Sequence, residues 1–588
     1  METRLFCIFI LLRSFCSLTA QDNYDTLKPE KVFLHTDRNI YTAGDNLFYT
    51  LYLDGNPGQM SKYAYLVLRD YKNSHVTELR LEVINRLAFG NIYLSDTLNS
   101  GIYQIVCYTN CMRNDAEESY FTKEIVIANR FDENIDRISE IKGLIYSESS
   151  SGIDSSSYGK NENLTITLNN KIFNPREKIS VTIQGRNLPG NTIAHLSVSI
   201  SEITPGVSSD TDISEYFSDN NSSSEKTSTN MAACKYSSEY NGSVLQGRIF
   251  ITPENISSGD SSVEISSKTS SNYTLLVSTP DSVVNMQFTK VDSSGSFRIL
   301  LNRFYDGKEL MIRLKESVKA TLIPDNKFTL NNNFIPSHSF NVPGIKAALI
   351  RNGKLAQVRK IYNEKAPIKT EKEFFPAVTI PRLYYSNFIS VYPTDYIRLN
   401  DFAEITKEII PALRIRKVRD NYFAEFPGLQ YTTNTESGPA IFLDGVPIDD
   451  INQVITMGSD QIKRIELLPE IRYYGNISFS GILAIFTPDL KIRDIQFRNT
   501  ALKMYALLSQ PYTRPVPFTP ENIKKHYPDV RQLLLWEPEI ILDNREKKQF
   551  EFYASDIEGK FRIDIQGITS SGITVHGSEV LTIKSKPN

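Results

Sequence analysis

The sequence predicts a mainly β protein: a series of small β-sandwiches with one small α+β domain. Apolar and polar residues alternate through most of 31–330, as in Ile179-Ser180-Val181-Thr182-Ile183, which is the period of a strand with one buried face. Tyr and Phe, residues suited to pleated half-buried surfaces, number 31 each. Two turn-and-strand devices also recur. Tyr41-Thr42-Ala43-Gly44-Asp45 before an alternating run is echoed by Phe173-Asn174-Pro175-Arg176-Glu177. Asp292-Ser293-Ser294-Gly295-Ser296-Phe297 returns as Asp556-Ile557-Glu558-Gly559-Lys560-Phe561, with a looser copy at Ser100-Gly101-Ile102-Tyr103. In this device Gly supplies the turn, and the aromatic residue shares a strand face with the apolar residue two positions on. Repetition of such units predicts several sandwiches.

At 588 residues the chain has room for roughly four or five domains. Lys and Arg total 65 against 68 Asp and Glu, a net charge of -3, so there is no basic field for nucleic acid. Residues 1–20 read as a secretory signal peptide: Arg4, an apolar run from Leu5 to Leu12, then Ser17-Leu18-Thr19-Ala20 before Gln21. Cys16 follows Phe15, a poor match to a lipid-attachment site. Beyond the signal no apolar run reaches the ~18 residues of a transmembrane helix. Cys7 and Cys16 belong to the signal, which leaves Cys107, Cys111 and Cys234, an odd set that builds no complete disulfide framework. On one strand Cys107 and Cys111 would lie roughly 13 Å apart, beyond disulfide reach. The six His are scattered, no zinc-ligand spacing occurs, and neither metal nor cofactor is expected.

The segment 29–131 carries Glu30-Lys31-Val32-Phe33-Leu34-His35-Thr36-Asp37-Arg38, Tyr41, Gly44-Asp45 and Tyr108-Thr109-Asn110. It resembles a bacterial macroglobulin-like domain, an immunoglobulin-like β-sandwich, with Cys111 where related chains often have tryptophan. His35, Asp37 and Arg38 are assigned structural roles, because nothing nearby completes a catalytic constellation. After a Ser-rich patch at 147–157, residues 160–240 resemble a second macroglobulin-like sandwich whose polar stretch 208–238 reads as a long loop. Residues 244–325, with Asp292-Ser293-Ser294-Gly295-Ser296-Phe297, resemble the carboxypeptidase regulatory-like β-sandwich, the accessory domain and not the peptidase. Residues 326–394 read as a β-rich connector. Residues 500–588, with Leu534-Leu535-Trp536-Glu537-Pro538 and Phe550-Glu551-Phe552-Tyr553, resemble a C-terminal macroglobulin-family β module. Trp536 is read there as a core anchor with its N–H satisfied.

Within 395–490, Phe402, Ile405, Ile409 and Leu413 have helical spacing across 399–418, with Pro411 expected to end or kink the helix. There follow the strand Ile441-Phe442-Leu443, the pair Asp444-Gly445, then Val446-Pro447, the strand Ile462-Lys463-Arg464-Ile465-Glu466-Leu467, the pair Tyr474-Gly475, and the run from Gly481 to Thr487. By residue chemistry alone Asp444-Gly445 is a hairpin turn. Taken together these pieces resemble the plug of a TonB-dependent outer-membrane receptor. The motif residues, in a structural or docking role, are Asp444, Gly445, Val446, Pro447, Glu466, Tyr474, Gly475 and Gly481. About 100 residues follow the motif in this sequence, whereas a receptor barrel of ~22 strands needs over ~200 in its strands, so a plug-like domain without a barrel is expected. Leu468-Pro469-Glu470 stands where such plugs usually have a Gly-containing turn, and there is no convincing TonB box.

Chemistry finds little support. The Gly-Cys-Gly-Glu-Gln-like run of thioester macroglobulins does not occur, and Cys234 lacks both the flanking Gly and the Gln. There is no nucleophile elbow, phosphate loop or dinucleotide fingerprint. The resemblance to exported Bacteroidetes proteins that combine these domains implies a non-enzymatic scaffold in the periplasm or at the outer membrane or cell surface of a Gram-negative bacterium. Such a scaffold would dock through the plug-like domain onto an outer-membrane barrel or a transport or secretion assembly. The alternative is a non-thioester macroglobulin-like binder of proteases or host molecules with a bait segment in 208–238. A third reading is a glycan-binding accessory protein that uses exposed aromatic residues.

Overall fold

The computed structural model describes residues 28–129, 131, 163–186, 192–204, 211–219, 235–251, 273–316, 318–335, 342–363, 382–385, 387–429, 438–475, 477–497, 501–508, 512–515, 528–543 and 546–585. The chain is mainly β, and its described residues form three β-sandwiches and one α+β module. The signal segment, the Ser-rich patch and Cys234 lie outside the described residues.

The first sandwich faces a three-stranded sheet (Lys31–Thr36, Asn46–Asp54, Leu87–Tyr93) against a five-stranded one (Ile40–Thr42, Phe121–Ala128, Gly101–Thr109, Tyr63–Asp70, His75–Glu82). Alternation places Leu47, Leu51, Leu66 and Ile105 in the shared core. Cys107 and Cys111 form no disulfide with each other. Cys107 is buried on its strand, and burial pushes its thiol up from the ordinary value.

The second sandwich is discontinuous in sequence. The strand Ile193–Glu202 pairs antiparallel with both Leu533–Asp543 and Gly559–Thr569. In the opposing sheet, Lys178–Gly185 lies between Leu164–Leu168 and Lys547–Tyr553. The stretches expected to form separate modules at 160–240 and 500–588 are therefore two halves of one sandwich, each with edges and an apolar face that only the other covers. Arg176 fastens the halves through two 2.7 Å contacts to Asp556.

The third sandwich pairs Ser243–Ile251 with Ser296–Leu301 and Ala320–Pro324, opposite a sheet ordered Gln287–Lys290, Thr274–Ser278, Glu309–Leu314 and Ala501–Tyr505. Its last strand comes from beyond residue 500, again outside the boundary expected at 325. The α+β module sits between Ala320–Pro324 and Ala501–Tyr505 in sequence. The chain is thus nested: the module is inserted into the third sandwich, and both are inserted into the second.

Among its described residues the connector 326–394, expected to be β-rich, has one short strand, Ile389–Val391. It contains the helix Val342–Asn363, whose apolar residues do not fall on one stripe and which carries Pro343, Gly344 and Gly353, so its periodicity announces nothing. The helix lies against Ile40–Thr42, where Arg359 pairs with Asp45 at 3.0 Å and Asn352 accepts from Gln532 at 2.8 Å. It bridges the first and second sandwiches. The polar stretch 208–238 likewise holds the helix Ile213–Asp219, whose Ile213 and Phe217 enter the first core.

The first and second sandwiches meet through buried aromatic and polar groups. Trp536 lies at this junction, its ring 5.2 Å from His35 and 6.5 Å from Phe48. It is an anchor as expected, but between domains, and its indole N–H has no acceptor among the described residues. Tyr52 donates to Ser197 at 2.7 Å, and Ser197 lies 2.6 Å from His35 Nδ1. His35 Nε2 is in turn 3.8 Å from Asp564. Ser197 and His35 of this Ser-His-Asp array are buried, so it fastens two sheets and holds the Ser197 hydroxyl away from solvent.

Candidate docking module

The α+β module is built on a five-stranded sheet ordered Ile389–Val391, Arg464–Tyr474, Ile477–Phe486, Ala440–Leu443, Val446–Pro447. One helix, Phe402–Ile409, packs Phe402 and Ile405 into its core. Asp401 caps the helix by accepting from the Glu404 N–H at 2.8 Å. The helix stops at Ile409 and does not run to 418, because Pro411 disfavours helical geometry in the residue before it. The chain then forms the strand Arg414–Val418, paired with Asn421–Glu425.

Asp444 and Gly445 form the expected two-residue turn, with φ of 47° and 84° and Leu443 opposite Val446. Asp444 does more than turn the chain. Its buried carboxylate accepts from the Thr487 N–H at 2.6 Å, the Thr487 hydroxyl at 2.8 Å and the Ile492 N–H at 3.1 Å. Burial pushes this carboxyl up from its ordinary value against the pull of those donors. The turn therefore secures the segment that leaves the neighbouring parallel strand.

The outer side of this turn is not free. Asp281 N–H donates to the Asp444 carbonyl at 2.9 Å, and Asn285 N–H donates to that of Gly445 at 3.3 Å. A Cβ on Gly445 would come 2.6 Å from the Val283 carbonyl oxygen. Val446 fills the module core, and the Pro447 carbonyl accepts from Arg313 at 2.6 Å. Arg313, on the third sandwich, also pairs with Asp449.

The Tyr474-Gly475 turn meets the same sandwich. Tyr474 donates to the Met286 carbonyl at 3.0 Å and stands edge to face on Phe288 at 5.5 Å. Gly475 has φ 59°, and a Cβ there would lie 2.6 Å from the Phe288 ring. Glu466 and Gly481 serve the module itself. Glu466 accepts from the Tyr384 hydroxyl at 2.6 Å and lies 2.9 Å from Arg464. Gly481 has φ 91° and leaves room for Phe426. Leu468-Pro469-Glu470 forms an irregularity within a long strand, where the register shifts between Leu468 and Ile471, a position that tolerates proline.

Five motif residues, Asp444, Gly445, Pro447, Tyr474 and Gly475, thus converge on the third sandwich. Leu276, Val284 and Met286 share a hydrophobic cluster with Phe442, Leu468 and Phe479 beneath them. As a docking surface for another protein the motif is already covered by its own chain, which corrects that part of the expectation. The partners missed in the sequence, Arg313, Asp281 and Asn285, carry no local signal, since each acts across more than a hundred residues of chain. Among what the module leaves exposed are the edge strand Ile389–Val391, the tyrosines Tyr385, Tyr392, Tyr396 and Tyr473, and the hairpin of Arg414–Val418 with Asn421–Glu425.

Among the described residues no group of three or more His, Cys, Asp or Glu is placed to hold a metal ion. No described helix is long and apolar enough to cross a membrane. The described polar cleft, about 320 Å³, lies where the first and third sandwiches meet and includes Arg113, Tyr236 and Asp325. Arg113 is committed there to a two-pronged pairing with Asp325 and sits over the Tyr236 ring.

No family model matches the chain, and no curated protein matches it. Among solved structures it is similar to a Salmonella alpha-2-macroglobulin reacted with methylamine, at 7% identity over 95% of this chain and 23% of that one, with a TM-score of 0.15. It is similar to an Escherichia coli alpha-2-macroglobulin activated by porcine elastase at 9% identity, over 95% and 44%, with a TM-score of 0.23. It is similar to the Escherichia coli adhesin FdeC at 11% identity, over 30% and 48%, with a TM-score of 0.14. The chain spans less than half of each of those three chains.

Proposed function

We propose that this chain is a non-enzymatic interaction protein of the cell envelope, in which three packed sandwiches form a mount that presents the α+β module to an outer-membrane or secretion partner. The observation that carries this reading is the attachment of the module. Its two glycine turns are sunk into the third sandwich, and a shared hydrophobic cluster lies beneath them. A module held by two turns and a common core presents its remaining edge in one orientation, as a recognition element on a rigid scaffold requires. The burial of Ser197 and His35 supports a role without catalysis.

The test is to crosslink intact cells expressing a tagged chain, recover it under denaturing conditions and identify the attached proteins. Substitutions on the exposed edge, Ile389→Lys with Tyr392→Ser, are compared with the unaltered chain. Recovery of an envelope barrel or secretion component that the edge variant loses is the expected result. Recovery of the same proteins by both chains removes the edge from the reading, and recovery of only soluble proteases moves the function to a macroglobulin-like binder.

A further inference from the structure

The hairpin of Arg414–Val418 and Asn421–Glu425 has two faces of different character. Its register sets Ile415 opposite Ala424, Lys417 opposite Tyr422, Arg416 opposite Phe423, and Val418 opposite Asn421. Strand residues alternate between faces. Ile415, Tyr422 and Ala424 pack on the module core, so Arg414, Arg416, Val418 and Phe423 face away from it. Val418 and Phe423 are 43% and 50% exposed, and Arg419 stands at the two-residue turn with φ 55°.

The charges on this hairpin are unbalanced. Arg414 has Glu425 at 3.7 Å, and Lys417 lies over the Tyr422 ring at 5.2 Å. Arg416 and Arg419 make no ion pair among the described residues. Asp420 at the turn and Glu425 are the hairpin's carboxylates, against four cations. A cationic rib is thus flanked by two exposed apolar side chains in a chain whose net charge is -3.

We propose that the outward face of this hairpin contacts an anionic lipid surface. Arginines attract acidic headgroups over about a Debye length, and apolar side chains beside them enter the interfacial layer that the headgroups border. Cations with exposed Phe and Val meet both demands of such a surface. A solvated charged face meets only the first. The contact stands apart from the partner-docking reading, since a chain that binds no barrel protein can still carry it.

The full chain is sedimented with phosphatidylcholine vesicles with and without phosphatidylglycerol, at low and at high salt. Partition only to the anionic vesicles, lost at high salt, is expected. Arg416→Glu with Arg419→Asn is expected to weaken it about tenfold or more, and Phe423→Ser to weaken it severalfold even at low salt. All three positions are exposed, so circular dichroism melts of the variants should overlay the parent. Equal partition to neutral vesicles, no partition at all, or unchanged partition of the charge variant overturns the proposal. Salt-sensitive capture of nucleic acid or an acidic protein without vesicle binding overturns it as well.

Discussion

Arg313 of the third sandwich and Asp449 of the α+β module meet as a buried ion pair, with only 5% and 8% of the two side chains exposed. The same guanidinium donates to the Pro447 carbonyl, so one cation secures both a side chain and the backbone just beyond the Asp444-Gly445 turn. Burial holds Arg313 below its ordinary value, against the opposing pull of Asp449.

Removing one partner strands the other charge in a low-dielectric site. Arg313→Met and Asp449→Leu are each expected to cost about 3 to 5 kcal/mol, while the double replacement costs less than their sum. Chemical denaturation of the four chains checks this, and simple additivity would show that the two residues do not act as a pair.

The two glycine turns differ in what a side chain would strike. At Gly445 the nearest atom is the Val283 backbone oxygen, and at Gly475 it is the rim of the Phe288 ring. Backbone yields less than a ring, and both positions have positive φ. Gly445→Ala is therefore expected to be the more damaging, by about 1 kcal/mol or more. Hydrogen exchange of residues 281–288 reports the loosening, and equal effects at the two turns would count against the packing described.

Asp37 links acidity to the first sandwich. Burial lifts its carboxyl to about 6, against the opposing pull of Arg38 and of the donors Tyr41 and Phe48. Between the ordinary carboxylate value of 3.8 and about 6, the folded chain keeps a proton that the unfolded chain has released. This contribution to stability is full below that window and falls as pH rises through it, by about 3 kcal/mol in all. Asp37→Asn keeps an acceptor for Tyr41 and Phe48 and is expected to flatten this part of the pH profile. An unaltered slope in urea titrations across the window would refute the assignment.

The helix Ile213–Asp219 bears on the protease-bait reading. Ile213 and Phe217 sit in the first core beside Phe33 and Phe121, and a protease needs its substrate extended and accessible. Limited proteolysis under native conditions is expected to leave no cut inside this helix. A cleavage map with early cuts there would show that the segment leaves the core readily.

Local chemistry was legible in the sequence and distant pairing was not. Asp444-Gly445 declares its turn because two adjacent residues set the backbone, and the alternation of Ile179, Val181 and Ile183 declares a strand. The other functions of Asp444 depend on Thr487 and Ile492, which no pattern near the turn names. Ile193–Glu202 likewise reads as a strand, but nothing in it reveals that its neighbours begin at Leu533 and Gly559. The helix Val342–Asn363 was hidden because its apolar residues form no stripe, and polar contacts such as Arg359 with Asp45 leave no periodic signal. Tyr474-Gly475 was legible as a motif, but its partner Phe288 was not, so a surface that looked available is closed.

The nested insertion fixes an order of assembly. A chain made from the N-terminus can complete the α+β module once Phe497 has emerged, and the third sandwich once Tyr505 has followed. The second sandwich must keep Ile193–Glu202 unpaired until Leu533–Asp543 and Gly559–Thr569 arrive. Throughout that interval an apolar strand with two open edges is exposed to aggregation. Its safekeeping falls to whatever accompanies the chain during synthesis, and a product interrupted before residue 533 would carry that exposed strand permanently.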